Sequence, residues 1–240
     1  MGILKISAVG TSDVGRVKSI NEDSYLYRVV DTGSYYAGVF AVADGVGGLE
    51  KGEVASEIAI SNINKWWNKE FKTLYENKEE MLKSFVASIK KSNKDIIDLP
   101  YKSATTLASM IIYKNSYHLI NVGDSRIYKY NGKLQQITVD HSCYIDKIIN
   151  GVSVKKSVLT ECIGHKEDFK YFYSTGEIKK NDIFLICSDG IYKTLEDKEL
   201  QKIIKYQKNN VDALPEELIN RAKNNGEKDN LTAIIVKIGV

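Results

Sequence analysis

Proline is nearly missing from this chain: Pro100 and Pro215 are the only two in 240 residues. No Pro- or Ser-rich stretch and no internal repeat marks a linker, and the length suits a single domain. Cysteine is scarce as well. Cys143, Cys162 and Cys187 are an odd number without close spacing, which argues against a disulfide scaffold and fits reduced thiols in a cytoplasmic protein. The three histidines, His118, His141 and His165, lack metal-ligand spacing, so no zinc-type cluster competes for attention. No apolar run reaches the roughly 18 residues of a membrane span. The start, Met1-Gly2-Ile3-Leu4-Lys5-Ile6, carries no secretory pattern, and Ile6 stands where myristoylation wants Ser or Thr. No membrane partner is expected. Charge of one sign is lacking too: 34 Lys and Arg face 31 Asp and Glu, a net charge of +3. The signs are well mixed, so nothing points to nucleic acid. Without a GxxxxGK[ST] loop, a P-loop nucleotide protein is also unexpected.

What the chain does have is clear periodicity. Lys5–Gly10 and Ser24–Val30 read as strands, and Ala37–Ala43 is a continuous apolar run suited to a strand buried on both faces. The period then changes. Apolar residues recur at helical spacing from Val54 to Trp67 and from Met81 to Ile97, which predicts two amphipathic helices with the tryptophans as core anchors. Strand signals return at Thr106–Tyr113, Tyr117–Val122, Ile127–Tyr130 and Leu134–Ile137, with turn residues Lys114-Asn115 and Asn131-Gly132 between them. Helices are expected around Glu196–Tyr206 and Asp212–Lys223, and strands at Ile183–Cys187 and Leu231–Val236. This order implies an α+β fold: two facing antiparallel sheets with helices packed outside, covering every apolar face. Only Cys143–Phe172 is poorly periodic, and it reads as a mobile surface segment.

Acidic residues stand at or near strand ends beside Gly or Asn: Asp23 in Asn21-Glu22-Asp23, Asp44 before Gly45, Asp189 before Gly190, and Asp229 before Asn230. Asp124 follows Val122-Gly123. Any one of these alone is an ordinary turn or cap. Together they suggest carboxylates converging at the mouth of a rigid sheet. Such a crowd repels itself, and burial disfavours its charged forms. Hard divalent cations make it tolerable, and oxygen-only ligands select Mg²⁺, Mn²⁺ or Ca²⁺.

Eight stretches, taken in order, resemble the PPM (PP2C-type) protein phosphatases, and their bacterial branch most of all. They are Gly15–Asp23, Phe40–Gly48, Ala104–Leu107, Asn121–Arg126, Thr138–Ser142, Leu159–Gly164, Leu185–Gly190 and Lys228–Thr232. The resemblance implies one domain over residues 1–240, built on a central β-sandwich flanked by helix pairs. It also implies roles. Asp44 would bridge two catalytic Mn²⁺ or Mg²⁺ ions, the Gly45 carbonyl would bind one of them, and Asp189 and Asp229 would complete the other. Asp23 would act from behind, orienting water, with Glu22 beside it. Asp124, with Asp189, would border a third and weaker site. Two metals about 3.5–4 Å apart lower the pKa of a shared water, so hydroxide is available for in-line attack on phosphorus. Phosphorylated serine and threonine in proteins would be the substrate, and a Ser/Thr kinase the opposing partner.

The chain departs from that pattern in three places. Where many relatives place a phosphate-gripping arginine, Lys18 stands, with Arg16 two residues earlier. Lysine cannot form the bidentate fork of arginine, so either residue is a candidate for substrate phosphate. Val46 replaces the histidine that eukaryotic relatives often use as general acid. The flap around 143–158 is short. These departures leave open a catalytically weak or inactive phosphoprotein-binding module, or a phosphoesterase acting on small molecules.

Overall fold

The computed structural model describes residues 3–149 and 152–239. The N-terminal Met1 and Gly2, the last residue Val240, and Asn150-Gly151 in the middle of the expected flap lie outside the described residues.

One sheet runs β1 (Lys5–Asp13), β12 (Leu231–Gly239), β11 (Ile183–Cys187), β6 (Arg126–Tyr130), β7 (Leu134–Gln136). The other runs β10 (Phe172–Glu177), β5 (Ser116–Val122), β4 (Leu107–Tyr113), β3 (Tyr36–Asp44), β2 (Asp23–Asp31). Every pairing within them is antiparallel. The two sheets face each other across a dry layer that includes Phe40, Met110, Phe184 and Ile234.

The unbroken apolar runs follow from this layering. Successive side chains on a strand point to opposite faces. On β3, Phe40 and Val42 enter the layer between the sheets, while Val39, Ala41 and Ala43 pack under helices. On β12, Ile234 and Val236 face inward, while Ala233 and Ile235 meet the helices on the other side. A strand covered on both faces has no polar side to show, so it reads as continuous rather than alternating.

Helix α1 (Gly52–Trp66) passes through a π-helical turn, Trp67–Phe71, into the short α2 (Lys72–Leu74), and α3 (Lys78–Ile97) packs back along it. Trp66 ends α1 and Trp67 opens the π turn. Both rings are buried, at 1% and 6% exposure. Trp67 stacks on Phe71 at 4.2 Å, and Trp66 Nε1 donates to Ser84 Oγ at 2.8 Å. Across the sandwich, α5 (Asp197–Gln207) and α6 (Leu214–Asn224) cover the first sheet through Leu200, Ile204 and Leu218. Pro215 sits in the first turn of α6, where a missing N–H costs nothing.

The segment expected to lack regular structure is corrected here. Ser142–Ile149 (β8) and Val152–Leu159 (β9) form an antiparallel hairpin with Ser142 opposite Leu159, separate from both sheets. Cys143–Asp146 and Lys155–Val158 are exposed, so among its described side chains these stretches bury no face that would impose an alternating pattern. Its chain then returns as β10, an edge strand the sequence reading missed.

Candidate active site

The acidic residues hang on strand ends from both sheets. Asp44 ends β3, and Asp23 begins β2 directly opposite it. Asp189 follows β11 by one residue, opening the short helix α4 (Asp189–Tyr192), and Asp229 precedes β12, the neighbour of β11. Asp124 lies in the turn between β5 and β6. Asp44, Gly45, Asp124, Asp189 and Asp229 line one cleft of about 520 Å³, together with Lys18 and Lys193. Asp23 sits behind them and is not in the cleft lining.

Two glycines make this convergence possible. A Cβ on Gly190 would lie 2.1 Å from the Asn230 carbonyl oxygen, and one on Gly45 would lie 2.5 Å from the Gly52 backbone. Only a residue without a side chain lets those backbones meet. Asp44 is pinned from the neighbouring strand. Its carbonyl accepts from Thr106 N at 2.8 Å and Thr105 Oγ1 at 3.0 Å, and its N–H donates to Thr106 Oγ1 at 3.1 Å. Asn230 gathers the loop before β2: Oδ1 accepts from Glu22 N at 2.9 Å, while Nδ2 donates to Val14 and Ile20 carbonyls.

The electrostatics are those of an overcrowded acidic site. Burial pushes Asp44 well above the ordinary carboxylate range, and the charges of Asp23, Asp189, Asp124 and Asp229 add to it. Asp23 is pushed up to about 7, chiefly by burial and against the hydrogen bonds of Thr232 and Ser188. Asp124 rises to about 6, again by burial and then by Asp189, with Lys193 pulling it down. Asp189 rises through burial despite Lys193. Asp23 Oδ2 accepts from Ser188 Oγ at 2.7 Å and Thr232 Oγ1 at 2.6 Å. Its Oδ1, like Asp189 Oδ1, is buried without a hydrogen-bond partner. A buried carboxylate oxygen left unpaired is costly.

Among the described residues, no three His, Cys, Asp or Glu stand close enough, as placed, to hold one metal ion. Two lysine ammonium groups pair with these carboxylates. Lys193 Nζ contacts Asp189 Oδ2. Lys18 Nζ lies 3.0 Å from Asp229 Oδ1 and 3.6 Å from Glu22 Oε2. Burial opposes the charge of Lys18, but Asp229, Glu22 and Asp44 hold its ammonium above the usual range. The donor chemistry nonetheless fits hard divalent cations: the cleft offers oxygen ligands, and one of them, Asp189 Oδ1, is buried and unpaired.

Arg16 does not join the cleft; its Nη2 donates to Asn224 Oδ1 at 3.0 Å at the surface. His141 is tied to Gly123, accepting from its N–H through Nδ1 at 3.2 Å, which is a structural task. The sequence reading missed Lys193 and the hairpin residue Lys156, which both line the cleft, and treated His165, also in the lining, as an ordinary histidine. Ser188 and Thr232 fell inside recognised stretches without a role, and the structure gives them one: holding Asp23. Behind Asp124, Arg126 donates to Asp140 Oδ2 through Nε at 3.0 Å and Nη2 at 2.7 Å and lies 3.6 Å over the Tyr192 ring. Tyr192 in turn donates to the Asp124 carbonyl at 2.9 Å.

The family model for Protein phosphatase 2C matches residues 9–235. The chain is 28% identical over 242 residues to the serine/threonine phosphatase stp of Listeria welshimeri, covering 94% of this chain and 93% of that one. It is 27% identical over 241 residues to the protein phosphatase PhpP of Streptococcus pneumoniae, at 95% of each. Among solved structures, the S. agalactiae serine/threonine phosphatase superposes with a TM-score of 0.81 at 22% identity, over 97% of this chain and 99% of that one. The catalytic domain of the serine threonine protein phosphatase PstP, solved with two manganese ions, gives 0.75 at 24% identity, over 99% and 100%. The match across nearly the whole sandwich places this chain in the protein phosphatase 2C family.

Proposed function

We propose that this chain hydrolyses phosphoserine and phosphothreonine in proteins, with Mn²⁺ or Mg²⁺ held by the cleft carboxylates. One observation carries the reading: strand-end aspartates from both sheets meet on one cleft, with a buried carboxylate oxygen left unpaired on Asp189 and another on Asp23 behind it. Asp44, the Gly45 carbonyl, Asp189 and Asp229 would hold the two ions. When bound, such ions lower the pKa of water and offset charge on the phosphoryl oxygens.

The chain's own residues supply the rest. Ser188 and Thr232 lock Asp23 through Oδ2, leaving Oδ1 to accept a hydrogen bond from the attacking water. Lys18 puts an ammonium at the cleft beside Asp229, where it meets substrate phosphate as a point charge. The β8–β9 hairpin forms one wall through Lys156–Leu159, the position from which a short flap selects among phosphopeptides. The three unbridged cysteines support a cytoplasmic setting, with a Ser/Thr kinase as the opposing enzyme. No described helix is long and apolar enough to cross a membrane.

The test is hydrolysis of a phosphothreonine peptide and of p-nitrophenyl phosphate. Both rates should vanish in EDTA and return with Mn²⁺, while nucleotides react more slowly than the peptide. A second reading, a phosphoprotein-binding module with little turnover, is favoured by one observation: Lys18 and Lys193 already pair with two of the expected metal carboxylates. Mn²⁺ binding without turnover of either substrate would select it.

A further inference from the structure

Lys193 has no part in the function proposed above, yet it lies inside the acidic cluster. It follows Asp189 by four residues, so one helical turn returns its side chain to the same face. The turn is closed by its own N–H, which donates to the Asp189 carbonyl at 3.0 Å. Its ammonium rests on Asp189 Oδ2, and the charges acting most strongly on it are those of Asp189, Asp124 and Asp229. The side chain is half-exposed along the cleft wall.

The neighbouring cations are committed elsewhere. Arg126 is spent on Asp140 and on the Tyr128 hydroxyl, and Lys18 sits on Asp229 and Glu22. The Asp124 carboxylate is buried at 8% exposure, and the cation whose charge acts on it is Lys193. A tally of formal charge agrees. Asp23, Asp44, Asp124, Asp189, Asp229 and Glu22 carry six negative charges. Lys18 and Lys193 offset two, and two divalent ions offset the remaining four. A third divalent ion beside both lysines would leave the cluster with a net charge of about +2 by the same count.

We propose that the Lys193 ammonium is a resident cation of the cluster, standing at Asp189 and Asp124 in place of a third divalent ion, so that this chain binds two metal ions and not three. The inference rests on the metal-dependent reading above, and its test separates the two.

The experiment counts Mn²⁺ per chain by equilibrium dialysis at millimolar Mn²⁺ and neutral pH, with no substrate present. The wild type should hold two ions. Lys193→Met, which keeps the length and removes the charge, should hold three. Lys193→Met combined with Asp124→Asn should return to two. Circular dichroism checks the fold of each variant, and Lys193→Gln replaces the methionine variant if that one is not native. Three ions on the wild type, or two on a folded Lys193→Met, would overturn the proposal. The wild-type count is decisive whatever the variants do, and an anomalous peak between Asp124 and Asp189 in a Mn²⁺-soaked wild-type crystal would also overturn it. A wild type that binds no Mn²⁺ would instead overturn the phosphatase reading.

Discussion

Replacing Asp124 with asparagine should make the cation-free protein more stable, by an amount that depends on pH. Asp124 is 8% exposed, and its carboxyl is raised from 3.8 to about 6 by burial and by Asp189. A carboxyl raised on folding stabilises the fold fully below its unfolded pKa, and that contribution is lost as pH rises through the folded value. Holding Asp124 ionised at pH 8 thus costs the fold about 3 kcal/mol, while at pH 4 the cost is only about 0.5 kcal/mol. Asparagine has nearly the same shape and no charge to hold. In EDTA, Asp124→Asn should therefore gain about 3 kcal/mol over wild type at pH 8, a rise in Tm of roughly 6–12 °C for a domain of this size. At pH 4 the two proteins should melt nearly together. Urea titrations at both pH values measure it directly. An equal gain at both pH values would mean that charge is not the cause, and a loss at pH 8 would mean that Asp124 is not under electrostatic strain at all.

Other perturbations address the site and its frame. Asp189→Ala should lower turnover roughly a thousandfold or more with an unchanged circular dichroism spectrum; near-normal rates in saturating Mn²⁺ would show that Asp189 holds no catalytic ion. Gly190→Ala forces a methyl to within 2.1 Å of the Asn230 oxygen and should cost about 3 kcal/mol, read as a drop in urea midpoint; an unchanged midpoint would mean the turn yields freely. Lys18→Arg should lower KM for a phosphopeptide roughly fivefold, the equivalent of about 1 kcal/mol for a bidentate grip, and an unchanged KM would remove Lys18 from phosphate binding. Trp66→Ala should cost about 3–5 kcal/mol, because the ring is fully buried against Phe71 and Phe85; a loss under 1 kcal/mol would mean the helix pair tolerates the cavity.

Much of the sandwich was legible because its strands have two dry faces or one. Ile183–Cys187 appears in the sequence with the bounds it has in the structure, and the apolar runs of β3, β4 and β12 announce themselves. Asp44 and Asp189 were legible for the same reason, since an apolar strand that stops at Asp-Gly marks where a rigid element ends. The β8–β9 hairpin was not legible, because periodicity records burial and its exposed side chains bury nothing. The π turn was hidden because Trp66 and Trp67 fit a helical stripe closely enough to pass for one. Lys193 was hidden by its ordinariness: Asp and Lys four apart on a helix are usually a solvated pair, and only the cleft around them gives this pair a different setting. Arg16 beside Lys18 was ambiguous in one dimension, and the loop resolves it by turning Arg16 to Asn224.

The acidic cleft straddles a seam. Asp23 and Asp44 ride on one half of the sandwich, Asp189 and Asp229 on the other, and the side chains between the halves interlock by packing alone. Any ion shared across that seam acts as a clasp, resisting the sliding of one slab over its mate. Loading the cleft should therefore quiet motions in Phe40, Phe184 and Ile234, deep in the middle, and a loosened interior should in turn slacken the grip on the ions.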